Sequence, residues 1–147
     1  MLSPGSAIAA SDDATLGRRA FMKAFNTQLE AVAGPGEQPG QFDLDLSTIV
    51  PAGKQLVVEF VSTSSEMPPQ KPHPTIVILG ATGDVMVQHY PVTQFQLNYR
   101  GSDIYKSADP IHMRLPRNCT LRAWLGRDGT VGTARCFFGI SGHLETA

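Results

Sequence analysis

The amino-acid sequence predicts an all-β protein: a jelly-roll-like antiparallel β-sandwich of about eight strands, with one N-terminal α-helix. Segments in which apolar and polar residues alternate recur at spacings of roughly 8–12 residues, which is typical of sandwiches and barrels. The chain's 14 glycines and 11 prolines supply turns between such strands. Of its 147 residues, 41% are hydrophobic and 17% charged, so one core of useful size can form.

Residues 1–40 are predicted to form a tail, a helix and a linker that precede a sandwich domain of residues 41–147. Asp12 or Asp13 would cap a helix that runs to about Val32. Its apolar residues recur at i, i+4, i+8 and i+11, which places them on one helical face. They are Phe21, Phe25, Leu29 and Val32. We expect this helix to lie over one end of the sandwich rather than to dock a partner or a membrane.

Eight segments after the linker have strand-like patterns. The first alternates apolar and acidic residues, as a half-buried strand does, whereas the second is almost continuously apolar and predicts a central strand. The predicted strands are residues 42–47, 55–62, 75–79, 84–90, 94–99, 111–115, 119–125 and 134–144.

The last two strands are predicted to form a hairpin, because Asp128-Gly129 stands between two alternating runs. On each strand one row is apolar, and we expect these rows to belong to the core face. The rows are Cys119, Leu121, Ala123 and Leu125, followed by Ala134, Cys136, Phe138 and Ile140.

The hairpin register decides whether Cys119 and Cys136 can form a disulfide. A four-residue loop places the two cysteines directly opposite each other at about 4.5–5.5 Å, which is within disulfide reach. A two-residue loop pairs Leu121 with Cys136 instead and leaves Cys119 at roughly 7–8 Å, which is too far. The alternative is two buried free thiols that act as small hydrophobic residues.

Two stretches carry a resemblance to a known group of proteins. Residues 50–62, VPAGKQLVVEFVS, and residues 141–144, SGHL, resemble matching stretches in small exported bacterial β-sandwich proteins of uncharacterised function. The resemblance implies a β-sandwich in the periplasm or the extracellular space. No complete signal peptide is evident, because Arg18 and Arg19 are not followed by the apolar stretch that a twin-arginine signal needs.

The composition argues against several classes of partner. A net charge of −1 and the lack of a basic stripe argue against nucleic-acid binding. No apolar run approaches the roughly 20 residues of a membrane span. No cofactor-binding motif is present, and the catalytic residues of any enzymatic activity are unknown.

Four histidines are the candidate ligands for a metal-dependent enzyme or a small hydrolase, which is the alternative functional interpretation. None of them lies in a His-x-His or His-x-x-x-His pair, and each falls on a different predicted element. They are His73, His89, His112 and His143. We therefore predict no metal site.

The favoured functional residues lie on the outer face of the predicted hairpin. Trp124 alternates with the core row, so it shares the outer face with Arg122, beside Phe137 and Arg135 of the neighbouring strand. Aromatic residues edged by arginine are typical of contact surfaces. We expect Trp124 to be at least half buried in the working assembly. The sequence thus predicts a non-enzymatic interaction or structural module, which self-associates as a homo-oligomer or binds a protein or glycan partner.

Overall fold

The computed structural model describes residues 23–69 and 74–147, which form a sandwich of two antiparallel β-sheets. Sheet A has five strands in the order β1-β9-β3-β7-β6, and sheet B has four in the order β2-β8-β4-β5. A short 3-10 helix, Leu46–Thr48, follows β2. The strands are β1 Lys23–Ala33, β2 Pro39–Asp45, β3 Lys54–Met67, β4 Thr75–Thr82, β5 Asp84–His89, β6 Gln94–Tyr99, β7 Ser102–Pro116, β8 Thr120–Gly126 and β9 Ala134–Thr146.

The core lies between the sheets and is built from the alternating rows that the sequence indicates. Every residue of the two rows predicted for the last strands is buried: Cys119, which precedes β8, the row from Leu121 to Leu125 in β8, and the row from Ala134 to Ile140 in β9. Leu56, Val58 and Val61 of β3 face the same core. The prediction of an antiparallel β-sandwich is therefore confirmed, with nine strands among the described residues rather than about eight.

The predicted helix is wrong over its described part. Residues 23–33 form β1, an edge strand that pairs along its whole length with β9. Phe25 and Leu29 fit both periods, because a spacing of four keeps two residues on one face of a helix and also on one face of a strand. Residues 23–33 therefore belong to the sandwich, and the start of the predicted helix lies outside the described residues.

The predicted C-terminal hairpin is also wrong. β8 pairs with β2 and β4 in sheet B, whereas β9 pairs with β1 and β3 in sheet A. The two apolar rows do meet, but across the core from facing sheets. Residues 127–133 form the crossing, in which Gly129 adopts a φ of 90°. Asp128-Gly129 thus marks a turn, but the turn connects two sheets instead of two paired strands.

The cysteine prediction changes with this topology. Cys119 and Cys136 are both free and buried, and the opposed hairpin register that would have bridged them does not form. Cys136 lies between Ala31 and Ser65 in sheet A. Burial raises the pKa of the Cys119 thiol and raises that of Cys136 to about 12, so both thiols are poorly reactive.

Arg127 holds the end of the sandwich where the chain crosses between sheets. Its guanidinium is buried and donates to four backbone carbonyls at 2.9–3.0 Å, contributed by two different loops. The acceptors are Gly34 and Glu37 of the β1–β2 connection and Val131 and Gly132 of the β8–β9 connection. A further backbone bond of 2.8 Å joins the loops from Gly36 N–H to the Thr130 carbonyl.

Within the described part of the chain, no helix has the length and apolarity that crossing a membrane requires.

Candidate functional site

Trp124 and Arg122 lie on the outer face of sheet B, where the alternation of β8 places them. Trp124 pairs with Gln41 of β2 and Val77 of β4, and Arg122 pairs with Asp43 and Leu79 of the same two strands. Both side chains are partly buried. The central strand β8 therefore presents an aromatic ring and a guanidinium two residues apart on one surface.

Gly126, two residues after Trp124 on β8, leaves space for the indole of Trp124. Gly126 shares the outer face with Trp124, and the benzo ring of the indole lies directly over it. A Cβ at Gly126 would meet Cζ3 of the ring at 2.6 Å, so a larger residue would push the ring off the sheet. The glycine lets the indole pack close to the sheet. The predicted strand ends at residue 125, so the sequence does not indicate this role for Gly126.

The guanidinium of Arg122 is fixed by a two-point ion pair with Asp43. Nε donates to Oδ1 at 2.7 Å and Nη2 to Oδ2 at 2.9 Å. These hydrogen bonds lower the pKa of Asp43 and raise that of Arg122, so both groups stay charged at neutral pH. Nη1 makes no hydrogen bond to the described residues. It therefore remains available to donate to a ligand.

These groups border a pocket of about 340 Å³ on sheet B, which we call the Trp124 pocket. Val77 and Leu79 are buried and form an apolar floor, whereas Tyr90 is 54% exposed. Amides from two strands complete the lining. The lining residues are Gln41, Thr75, Val77, Leu79, Gln88, Tyr90, Arg122 and Trp124.

The other two predicted binding residues lie on the opposite side of the molecule. Phe137 and Arg135 are on the outer face of β9 in sheet A, and Arg135 Nη1 contacts Glu30 Oε2 at 3.4 Å. The predicted hairpin of β8 with β9 would have placed all four residues on one surface. In the structure they form two separate pairs, Trp124 with Arg122 and Phe137 with Arg135.

Phe137 lines a shallow groove of about 730 Å³ that crosses the outer face of sheet A. Its floor consists of small residues, including Ser62, Ser64 and Gly139. The hydroxyls of both serines and the amide of Gln28 make no hydrogen bond within the described residues. The groove is therefore a second polar surface, but it has one aromatic ring and no guanidinium fixed beside it.

The described histidines do not meet. His89, His112 and His143 lie on β5, β7 and β9, and His73 is outside the described residues. Among the residues that the structure describes, no three His, Cys, Asp or Glu side chains are grouped as a metal ion would need. His89 Nε2 instead contacts Asp109 Oδ2 at 3.1 Å, which links β5 of sheet B to β7 of sheet A.

His143 belongs to a charged network on the outer face of sheet A. Its Nδ1 lies 2.9 Å from Glu59 Oε1 and its Nε2 3.3 Å from Glu145 Oε1. Glu145 Oε2 also accepts from Arg114 Nε at 3.0 Å and from Gln55 Nε2 at 2.7 Å. Hydrogen bonds from Arg114 and Gln55 lower the pKa of Glu145 to about 2.

Replacing Glu145 with glutamine is expected to make the free energy of unfolding depend less on pH at acid pH. The folded-state pKa of Glu145 is lowered from 4.5 to about 2, so its stabilisation is present above pH 4.5 and is lost as the pH falls to about 2. Urea unfolding of the parent and of Glu145→Gln across this window measures the difference. Glu66→Gln, which removes an exposed β3 carboxylate outside the network, is the control. Equal slopes for parent and Glu145→Gln would contradict the assignment.

Most of the residues around Trp124 are not predicted from the sequence. From the sequence, Asp43 is interpreted as a solvent-exposed strand residue, because the pairing of β2 with β8 is not evident without the sheet order. Nothing in the sequence around Gln41, Gln88 or Thr75 indicates that these residues line a pocket. Only the alternation of β2 could have indicated part of the site, since it places Gln41 and Asp43 on the same face of the strand.

Comparisons with known proteins add little to this geometry. No protein-family model matches the chain, and no curated protein matches it significantly. Among solved structures, the dimeric latent PorU of Porphyromonas gingivalis is similar with a TM-score of 0.42 and 8% sequence identity. The similarity covers 82% of this chain, which spans only 13% of the length of that PorU chain.

Proposed function

We propose that this protein is a non-enzymatic binding module that holds a glycan in the Trp124 pocket. The observation that carries the proposal is the indole seated on Gly126 beside the Arg122–Asp43 ion pair. An aromatic face packs against the apolar C–H groups of a sugar ring, while a fixed guanidinium and amides bond its hydroxyls. The jelly-roll-like class and the export of the protein stay predictions from the sequence.

The chemistry of the lining supports a neutral sugar more than a charged ligand. The charge of Arg122 is balanced by Asp43 at 2.7 Å, so the pocket has no uncompensated charge to attract an ion. Gln41 and Gln88 each offer both a donor and an acceptor, which matches the dual character of a hydroxyl group. The pocket is already formed, so little ordering of the protein opposes binding.

The protein carries its own probe of this site, because Trp124 is its single tryptophan. A printed array of diverse glycans selects candidate ligands, and a titration followed by tryptophan emission then measures binding at the pocket. Trp124→Ala has no tryptophan, so its binding is measured by titration calorimetry beside the parent, and we expect binding to weaken by about thirtyfold or more, the loss associated with an aromatic anchor. Gly126→Ala should also weaken it, by displacing the indole.

Phe137→Ala is the matched control, since it removes a partly buried aromatic ring from the outer face of the other sheet. Unchanged binding by Phe137→Ala supports the Trp124 pocket, whereas loss of binding in that variant alone would move the site to the groove of sheet A. Absence of binding to every glycan would contradict the proposal. So would stoichiometric zinc, iron or manganese that is lost in His89→Ala, because it would favour the enzyme alternative.

A further inference from the structure

Exposed apolar side chains are concentrated on one side of the sandwich. The described chain has twelve large hydrophobic side chains that are exposed, and seven of them fall between residues 85 and 99. Their exposed fractions range from 48% to 78%. The seven are Val85, Met86, Tyr90, Val92, Phe95, Leu97 and Tyr99. Single exposed hydrophobic residues are ordinary, but a cluster of this size marks an interaction surface.

We call residues 85–99 the open side. They lie where both sheets end in a strand that has one neighbour only among the described residues. β5 ends sheet B and β6 ends sheet A, and residues 90–93 connect them. At the opposite boundary β1 and β2 contact each other. Among residues 23–69 and 74–147, β6 pairs only with β7, so its other edge has no strand partner there. The open side therefore combines apolar side chains with unpaired strand edges.

The segment that forms the open side, residues 85–99, has no Lys, Arg, Asp or Glu of its own, and this favours a second copy of the same chain as its partner. Arg100, which follows the segment, lies over the Tyr99 ring at its end, 5.2 Å from the centroid. In a two-fold dimer each patch faces its own copy, so any charged residue near the axis would face a like charge. A neutral apolar patch avoids that repulsion. Soluble proteins that keep an edge strand monomeric usually place lysine or proline on it, and β6 has neither.

The area is also of the size that a dimer requires. At roughly half exposure each, and about 150–200 Å² per large side chain, the seven residues present on the order of 600 Å². This area is spread over both faces of the strand edge, since Phe95 pairs with the buried Tyr105 and Leu97 pairs with Ile104 after the register shift. A second copy that packs around the edge therefore approaches the ~800 Å² that each partner buries in a standard interface. A bulge at Gln96 interrupts the pairing of β6 with β7, so side-chain packing rather than a long shared strand would hold the copies.

We infer that the protein forms a two-fold homodimer through the open side, with the side chains of β5, residues 90–93 and β6 packed against the same segment of a second copy. This inference is independent of glycan binding, although Tyr90 belongs to both surfaces. The test therefore uses Val92 and Leu97, which do not line the Trp124 pocket.

Sedimentation equilibrium of the full chain over a concentration series tests the inference. The parent should fit a monomer–dimer equilibrium, and Val92→Asp should raise the dimer dissociation constant by about thirtyfold or more, because it places two like charges at the interface. Leu97→Asp should do the same. The matched control is Val131→Asp, since Val131 is 84% exposed in the β8–β9 connection and Val92 is 78% exposed. Circular dichroism verifies that each variant is folded.

Three results would overturn the inference. One is a parent that is monomeric at every concentration, which would leave the open side to a different partner. Another is a parent that forms aggregates of undefined size. The third is a dimer that Val92→Asp and Leu97→Asp leave intact or that Val131→Asp dissociates equally. None of these results affects the tryptophan titration, so the two proposals fail separately.

Discussion

Replacing Arg127 with alanine is expected to lower the free energy of unfolding by about 3 kcal/mol or more. Arg127 is 8% exposed, and its guanidinium donates four hydrogen bonds of 2.9–3.0 Å to backbone carbonyls of two loops. Hydrogen bonds that involve a charged group contribute about 1.5–3 kcal/mol each, but they are not additive. The variant loses all four bonds that tie the two loops together through one side chain, so the β1–β2 and β8–β9 connections should separate.

Urea unfolding of two further variants shows whether the hydrogen-bond geometry or the charge matters. Arg127→Lys keeps the charge, but an ammonium group cannot reach four carbonyls in two loops, so it should recover only part of the lost stability. Arg100→Ala removes an exposed guanidinium that lies over the Tyr99 ring at 5.2 Å, and it should cost little. An Arg127→Ala variant as stable as Arg100→Ala would show that the loops do not depend on this side chain.

Local periodicity predicted which residues face the core far better than it predicted which strands are neighbours. The rows from Cys119 and from Ala134 are buried, and Trp124 lies outside the core, because a period of two is fixed by the backbone itself. The sheet order depends on contacts between residues far apart in the chain. Nothing in the sequence of β8 shows that it pairs with β2 and β4 rather than with β9.

The candidate site illustrates the same distinction. Arg122 and Trp124 lie on one face of one strand, so the sequence places them together. Phe137 was added from the wrong neighbouring strand, and Asp43 was left out although its carboxylate lies 2.7 Å from Arg122 Nε. The helix prediction failed for a related reason: Phe25 and Leu29 satisfy both periods, whereas the buried Ala31 and Ala33 together continue only the period of two.

The two sequence stretches that carry the resemblance meet in sheet A. Val58 of the first stretch pairs with Gly142 of the second, and Phe60 pairs with Ser141, so Glu59 is the extra residue of a β-bulge. The bulge directs Glu59 to the imidazole of His143, with 2.9 Å between Oε1 and Nδ1. In this structure, the sequence pattern of residues 50–62 and 141–144 therefore corresponds to one irregular pairing of β3 with β9.

Gly142→Ala is expected to be among the most destabilising single substitutions in the chain, with a loss of about 3 kcal/mol or more. At the bulge the backbone of β3 approaches Gly142 so closely that an added Cβ would overlap the Val57 carbonyl oxygen and lie 2.9 Å from its carbon. Backbone atoms cannot rotate away, so the central pairing of β3 with β9 must separate locally.

Gly139→Ala on the same strand is the control for the intrinsic effect of replacing glycine, which acts mainly through the unfolded chain. There an added Cβ meets the Ser62 hydroxyl at 2.7 Å, and that side chain can rotate away. Chemical unfolding of parent, Gly139→Ala and Gly142→Ala should therefore give two similar stabilities and one much lower. Equal stabilities for the two variants would mean that β3 and β9 do not approach each other at Gly142, and the bulge register would have to be reassigned.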